Sequence, residues 1–205
     1  MSGDASIVAM KVPMPAAVLA GGASERMGVP KASLPYGATT LLAHQTRRLS
    51  RIFEDVFVVA REVPAFDTGG SRVVLDHDGE RAPIRGLARA LEEVSDRLFV
   101  VAVDLPVLAE QVIRAIAHAS LAGRAPAVVP QAGGRLQPLA AVWRRGVLPA
   151  VLGRIERADL SLRGLAREVG AEILPEEAWL PADPSGNSFA NLNTIEEYNA
   201  LRERA

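Results

Sequence analysis

Short apolar runs alternate along the chain with longer segments of helical period, and this alternation limits the possible folds more than any other feature. The runs are continuously apolar rather than alternating with polar residues, which is typical of parallel strands covered on both faces by helices. The pattern predicts a single α/β domain, a three-layer α/β/α sandwich around a mostly parallel sheet. The predicted strands are 16–20, 55–60, 72–75, 98–103, 127–130, 139–143 and 171–174, and the predicted helices are 40–53, 84–94, 109–121, 160–169 and 195–202.

Composition restricts the chemistry of such a domain. Of 205 residues, 49% are hydrophobic and 23% are charged, which allows a sizeable core in residues 15–205 behind a flexible tail of residues 1–14. The formal net charge of −1 gives no bulk attraction to nucleic acid or to an anionic membrane. The absence of cysteine excludes disulfides, thiolate catalysis and zinc–thiolate sites, and the scattered histidines argue against a histidine metal cage. Because no signal peptide and no apolar run of membrane-spanning length is found, we expect a soluble, cytoplasmic protein.

Ligands of an open parallel sheet bind beyond the carboxyl ends of its strands, so the residues after each strand are the first candidates. The first predicted strand leads into LAGGASERMGVPK, where Gly21 and Gly22 allow a sharp turn close to a ligand. The amides of such a loop, the hydroxyl of Ser24 and the cations Arg26 and Lys31 together suit a polyphosphate. A glycine turn with two solvated cations is the alternative. The spacing matches neither GxGxxG nor GxxxxGK[ST], which argues against a dinucleotide oxidoreductase or an ATPase.

Carboxylates follow two further predicted strands. Asp104 ends the run FVVAVD, and two roles remain open for it: the N-cap of the next helix, or a ligand for a hard cation that bridges phosphates. Asp76 and Asp78 follow the third strand, where a solvated turn is the competing explanation, and we favour that turn for Asp78. Trp143 is expected in the core rather than as a stacking platform, and Arg85 is expected at the surface.

Two asparagines precede the last predicted helix in the stretch FANLNTIEE. Asn191 and Asn193 are two residues apart on an extended segment, so their side chains can point the same way. One amide can face a metal ion and phosphates while the other caps the helix.

The stretch LAGGASERMGVPKASLPYG resembles the signature of nucleotidyltransferases that activate phosphorylated metabolites, and most of all that of the molybdenum cofactor guanylyltransferases, the MobA family. Four later segments resemble the family in the expected order, so the resemblance extends from about residue 16 to 201. Leu105 stands at a variable position of the family's D-x-P motif. Ala82 replaces the first glycine of its G-P-L-x-G motif, which puts the contact to the guanine or ribose in doubt.

The resemblance implies a Rossmann-like sheet of nucleotidyltransferase type and a role for each matching residue. Lys31, Arg26 and Asp104 would be catalytic, Mg²⁺ would be held by Asp104 and Asn193, and the acceptor side would include Gln137, Pro138 and Asn191. The residues expected along the nucleotide are Leu19, Ala20, Gly21, Gly22, Ser24, Lys31, Asp76, Gly86 and Asp104.

The implied reaction joins GMP from GTP to the terminal phosphate of molybdopterin and releases pyrophosphate. Transient contacts with molybdenum-insertion enzymes and acceptor enzymes are expected, without nucleic acid or membrane partners, from a monomer or weak homo-oligomer. Two alternatives stay open. The first is the same chemistry with CTP or with another small phosphorylated metabolite, and the second is a nucleotide-binding regulatory protein that has lost catalysis.

Overall fold

The structure is a computed structural model, and it describes residues 10–21, 30–76, 79, 81–192 and 197. The strands are β1 (Val12–Leu19), β2 (Pro35–Tyr36), β3 (Thr39–Thr40), β4 (Phe53–Ala60), β5 (Arg72–Leu75), β6 (Arg97–Ala102), β7 (Ala127–Ala132), β8 (Arg135–Leu136), β9 (Ala140–Arg144) and β10 (Glu172–Leu174). The α-helices are α1 (Leu41–Ile52), α2 (Pro83–Glu92), α3 (Glu110–Ala122), α4 (Leu148–Glu156), α5 (Leu162–Glu168) and α6 (Glu176–Trp179).

The main sheet has the strand order β10-β7-β9-β6-β1-β4-β5, and β8 pairs with β7 at one end. β1 is parallel to both β4 and β6, β4 is parallel to β5, and β10 is parallel to β7. β9 alone among the strands on this path runs antiparallel to its neighbours β6 and β7. The predicted mostly parallel sheet is therefore confirmed.

Helices cover both faces of this sheet, as the apolar strands require. α1 and α3 pack on one face, where Phe99 and Val142 of the sheet join their buried leucines and isoleucines. α2, α4 and α5 pack on the other face, where Val100 and Trp143 are buried. Trp143 is fully buried and its indole N–H donates to the Pro138 carbonyl at 3.1 Å, so its predicted place in the core is confirmed. Within the described ranges, no helix combines the length and the hydropathy needed to cross a lipid bilayer.

Several boundaries differ from the sequence-based predictions. β1 begins at Val12, inside the segment predicted as a tail, because Val12 and Met14 are buried against the core. α4 was not predicted; its Pro149 lies in the first turn, where a proline is tolerated, and Gly153 lies in its interior. The loop around Trp179 contains α6, and Trp179 is buried there. The predicted helix 195–202 lies outside the described residues except for Glu197.

Candidate functional site

The carboxyl ends of four strands meet at one edge of the sheet. Leu19 of β1 is paired with Ala102 of β6 and with Val59 of β4, and Ala60 of β4 is paired with Leu75 of β5. The residues that follow these strands therefore emerge side by side. They line a cavity of about 240 Å³ together with the start of α2 and with Leu139 before β9. This is the edge at which open parallel sheets bind their ligands.

Lys31 enters this cavity from a short 3-10 helix, Lys31–Ser33. The turn is fixed on its far side because Ala32 and Leu34 are buried, and the Leu34 carbonyl accepts a hydrogen bond from Leu41 N–H at 2.8 Å. Lys31 Nζ lies 3.5 Å from Asp104 Oδ2, and the exposed fractions of the two side chains are 16% and 28%. A lysine 73 positions away from the aspartate is thus brought beside it at the strand ends.

Asp104 belongs to the turn that follows β6. Val103 N–H donates to the Leu19 carbonyl at 3.2 Å, which continues the β1–β6 pairing by one residue. Leu105 and Leu108 are buried and anchor the other side of the turn. Of the two roles that the sequence left open, the N-cap is not observed, because α3 begins after Ala109 and Asp104 lies five residues earlier. The carboxylate lines the cavity instead.

The segment that leads to the asparagines reaches the same turn. Leu192 N–H donates to the Asp104 carbonyl at 2.9 Å, and Leu192 is buried while Asn191 is exposed. Asn191, which is predicted on the acceptor side, therefore directly precedes a residue that is hydrogen-bonded to Asp104.

A buried polar clamp holds that segment in place. Ser188 is fully buried; its N–H donates to Asp183 Oδ2 at 2.7 Å, and its hydroxyl accepts from Ala109 N–H at 3.0 Å. Burial alone would raise the pKa of Asp183, but hydrogen bonds from Ser185 and Ser188 outweigh it and lower that pKa below its usual value. The carboxylate of Asp183 is therefore kept ionised by its neighbours.

Five of the residues predicted along the nucleotide line the same cavity. They are Leu19, Ala20, Gly21, Asp76 and Gly86, and their contact with a nucleotide remains a prediction. A Cβ added to Gly86 would lie 3.5 Å from Leu19 Cδ1, an ordinary contact that leaves little space between α2 and β1.

Ala82, which departs from the family pattern, also lines the cavity. It precedes α2 with φ −149° and ψ 137°, an extended conformation that any residue adopts. The alanine therefore causes no backbone strain, and its only addition is one methyl group at the wall.

Gln137 and Pro138, predicted on the acceptor side, lie just before β9 and are half-buried. Because β9 runs antiparallel to β6, its amino end lies at the same sheet edge as the carboxyl end of β6. The following residue, Leu139, accepts a hydrogen bond from Ala102 N–H at 2.9 Å and lines the cavity. Gln137 and Pro138 themselves do not line it.

Two cations of the cavity were missed in the sequence. Arg61 directly follows β4, and Arg81 precedes α2. Arg61 Nη2 donates to the Gly79 carbonyl at 2.9 Å, which ties the end of β4 to the loop after β5. The rule that ligands bind beyond the carboxyl ends of the strands would also have selected Arg61, because it directly follows the second predicted strand. Arg85, expected at the surface, is half-buried and its guanidinium packs against Gly79.

Five of the residues singled out in the sequence lie outside the described residues: Gly22, Ser24, Arg26, Asp78 and Asn193. Their predicted roles remain predictions. Among the described residues, the charged side chains of the cavity lining are the paired Lys31 and Asp104 together with Asp76, Arg61 and Arg81.

Comparison with known proteins identifies the family of this chain. Residues 16–173 match the model of the MobA-like NTP transferase domain. A probable molybdenum cofactor guanylyltransferase from Mycobacterium avium is 33% identical over 91% of this chain and 93% of its own length. A molybdenum cofactor guanylyltransferase from Syntrophotalea carbinolica is 26% identical over 92% of this chain and 90% of its own.

A solved structure shares the fold. The molybdopterin-guanine dinucleotide biosynthesis protein A of Archaeoglobus fulgidus superposes with a TM-score of 0.79 at 21% identity, over 93% of this chain and 98% of that one. The family match covers the strand ends that form the cavity, including Lys31 and Asp104. The chain belongs to the MobA-like NTP transferase family and is an enzyme of the nucleotidyltransferase class.

Proposed function

We propose that this enzyme transfers GMP from GTP to the terminal phosphate of molybdopterin and releases pyrophosphate. The relatives named as molybdenum cofactor guanylyltransferases support the choice of substrates. The observation that carries the chemistry is the Lys31–Asp104 pair, 3.5 Å apart in a cavity at the carboxyl edge of the sheet.

Charge repulsion is the main obstacle to this reaction, because both substrates are polyanions. A phosphate oxygen of the acceptor forms a bond to the α-phosphorus of GTP, the bond from that phosphorus to the α–β bridging oxygen breaks, and pyrophosphate leaves with the electron pair. No general base is needed, since the attacking phosphate is already ionised at neutral pH. Positioning and charge neutralisation therefore supply most of the rate enhancement.

We assign that neutralisation to Lys31 and Arg26. Lys31 Nζ is a compact charge that can stay with a phosphoryl group as it moves, and the guanidinium of Arg26 suits the oxygens of the leaving group. The position of Lys31 in the cavity wall supports its part of the assignment. The family motif that contains Arg26 is the support for the other part.

Mg²⁺ is the divalent ion we propose, and the donor set of the cavity fits it. No cluster of three or more carboxylates, histidines or cysteines that could hold a metal occurs within the described part of the chain. Mg²⁺ does not need such a cage, because it is usually bound through one or two carboxylates together with substrate phosphates and water. Asp104, with the amide of Asn193, would hold the ion. When bound, the ion would supply positive charge that offsets the negative charge of the substrate phosphates.

The two substrates would occupy opposite halves of the site. GTP would lie along Leu19, Ala20, Gly21, Gly22 and Ser24, with Asp76 and Gly86 towards its nucleoside. The acceptor would approach from the side of Gln137, Pro138 and Asn191. The half-buried and exposed positions of these last three residues are consistent with an open acceptor side.

The test is pyrophosphate release from each of the four nucleoside triphosphates, with and without molybdopterin. We expect release with GTP that depends on both molybdopterin and Mg²⁺. Release with CTP instead would identify the cytidylyl alternative, and nucleotide binding without turnover in the presence of molybdopterin would identify the regulatory one. The Asp104→Asn variant should require more Mg²⁺, and an unchanged Mg²⁺ titration would exclude the assigned role of Asp104.

A further inference from the structure

The backbone around Asp104 is hydrogen-bonded to the backbone of three distant parts of the chain. Ala102 N–H donates to Leu139, Val103 N–H donates to Leu19, and the Asp104 carbonyl accepts from Leu192. The carbonyls of Ala102 and Val103 point away from these partners, towards α1. The Ala102 carbonyl also accepts from Leu105 N–H at 3.3 Å within the turn, so the Val103 carbonyl is the one that depends most on a donor from α1.

Gln45 of α1 supplies the donor. Its side-chain Nε2 lies 2.9 Å from the Val103 carbonyl oxygen and 3.4 Å from that of Ala102. Gln45 is only 4% exposed, on the buried face of α1, where a glutamine is uncommon unless it is hydrogen-bonded. Both partners are acceptors, so the amide nitrogen must face them, and the orientation of the amide is fixed.

One turn further along α1, Arg48 binds the same loop. Arg48 Nη1 donates to the Pro106 carbonyl at 2.9 Å. Residues three apart on a helix lie on one face, so Gln45 and Arg48 form a pair of donors directed at the turn on both sides of Asp104. α1 also holds the Lys31 turn, through the bond from Leu41 N–H to the Leu34 carbonyl.

We propose that Gln45 is a positioning residue that directs the Asp104 carboxylate into the cavity, with Arg48 as its partner. The inference rests on the proposed role of Asp104 in holding the metal ion. The carboxylate direction depends on the backbone of Val103 and Asp104, and Gln45 restrains that backbone from the side of α1. Outer groups that orient a metal ligand typically change metal affinity or activity 10–100-fold when they are lost.

The variant that tests this is Gln45→Met, which keeps the length and the apolar stem but removes both donors. The control is Thr46→Val on the same helix. Thr46 is also fully buried, but its hydroxyl bonds to the Thr68 carbonyl at 2.8 Å and to α1 itself, away from the Asp104 turn. Both variants lose a buried polar contact, and only one loses a contact to the site.

We expect Gln45→Met to weaken binding of Mn²⁺, an EPR-visible substitute for Mg²⁺, about tenfold or more in the presence of GDP. The Mg²⁺ concentration for half-maximal turnover should rise in parallel. Thr46→Val should lower Tm, yet leave the Mn²⁺ affinity and the Mg²⁺ concentration for half-maximal turnover within about twofold of the wild-type values. Equal metal binding by Gln45→Met and the wild type would overturn the proposal.

A second variant keeps the test informative if Gln45→Met does not fold. Gln45→Glu has nearly the same shape, and burial raises the pKa of the introduced carboxyl. Below that pKa the protonated group can donate to the Val103 carbonyl, whereas above it the carboxylate repels this oxygen. Its activity relative to the wild type should therefore increase as the pH falls, and a constant ratio would contradict the positioning role.

Asp104→Asn separates this inference from the proposed function. If Asp104→Asn and Gln45→Met both weaken metal binding, the positioning role is supported. If only Asp104→Asn does so, the proposed function stands and the role of Gln45 is wrong. If Asp104→Asn binds metal normally, the assigned role of Asp104 fails, and the inference about Gln45 fails with it.

Discussion

Ser188 provides a stability prediction that tests how the site is attached to the fold. α3 follows Ala109, which has no side chain able to cap a helix. Its N–H instead donates at 3.0 Å to the hydroxyl of Ser188, 79 positions later in the chain. Ser188→Ala removes this acceptor at a position where the serine is fully buried.

The expected loss follows from that geometry. Replacing a capping serine by alanine typically costs about 1 kcal/mol, and leaving a buried donor without an acceptor costs about 1–3 kcal/mol. Because Ala109 is only half-buried, water can reach its N–H in part. We therefore expect the free energy of unfolding to fall by about 1–2 kcal/mol. For a chain of this size, this corresponds to a decrease in Tm of about 2–8 °C.

Urea unfolding followed by circular dichroism measures this difference, and Ser161→Ala is the matched control. Ser161 caps α5 locally, accepting from Gly164 N–H at 3.0 Å in an exposed position. Water can replace that hydroxyl, so its loss should cost less, about 0.5–1 kcal/mol. If Ser188→Ala lowers the free energy of unfolding by no more than Ser161→Ala does, Ser188 is not a buried cap that joins its segment to the start of α3.

Three more predictions follow. Lys31→Met should lower kcat about 10²-fold or more in a pyrophosphate-release assay, since it removes a charge from the transition state, and a variant with normal turnover would contradict its role. Trp179→Ala should lower the free energy of unfolding, measured in urea, by about 3–5 kcal/mol. Trp179→Phe keeps a large aromatic ring at this position and should lose much less. The ionised Asp183 stabilises the fold above about pH 4, and this contribution is lost as the pH falls through its lowered folded-state pKa. Asp183→Asn should therefore show a flatter acid-side dependence of Tm, and a dependence as steep as that of the wild type would argue against the clamp.

The sequence predicts the core of the fold well because the parallel strands are continuous apolar runs with no competing interpretation. β5, for example, has the predicted bounds. The hairpin of β7 and β8 was missed although Gly133 and Gly134 signal it; both have positive φ, 56° and 69°, as a two-residue turn requires. α4 was not predicted; its sequence contains a proline and a glycine, which are weak helix formers, although the proline lies in the first turn, where it is tolerated.

The candidate site could be predicted as a set of strand ends but not as a set of contacts. Lys31 and Asp104 were each selected from the sequence, yet their separation of 3.5 Å depends on the β1–β6 pairing. Gln45 could not be selected, because a glutamine on an amphipathic helix carries no signal of the loop it will face. Trp179 was missed for a similar reason: its burial depends on Phe189, 4.8 Å away between ring centroids, and on the carbonyl of Gln131.

The contacts around Asp104 hold its backbone while leaving its carboxylate loosely paired, an arrangement that suits the binding and release of substrates. The turn is restrained through backbone carbonyls, by Gln45, Arg48 and Leu192, rather than through the carboxylate. Of the described residues, Lys31 contacts that carboxylate, at 3.5 Å, longer than the 2.7–2.9 Å of a strong charge-assisted hydrogen bond. In the proposed function, a pair this loose would cost little to separate as a metal ion and phosphates bind between the two charges. If Gln45 has the proposed positioning role, the backbone contacts fix the direction of the carboxylate, while the long Lys31–Asp104 distance leaves its charge available to a bound ion.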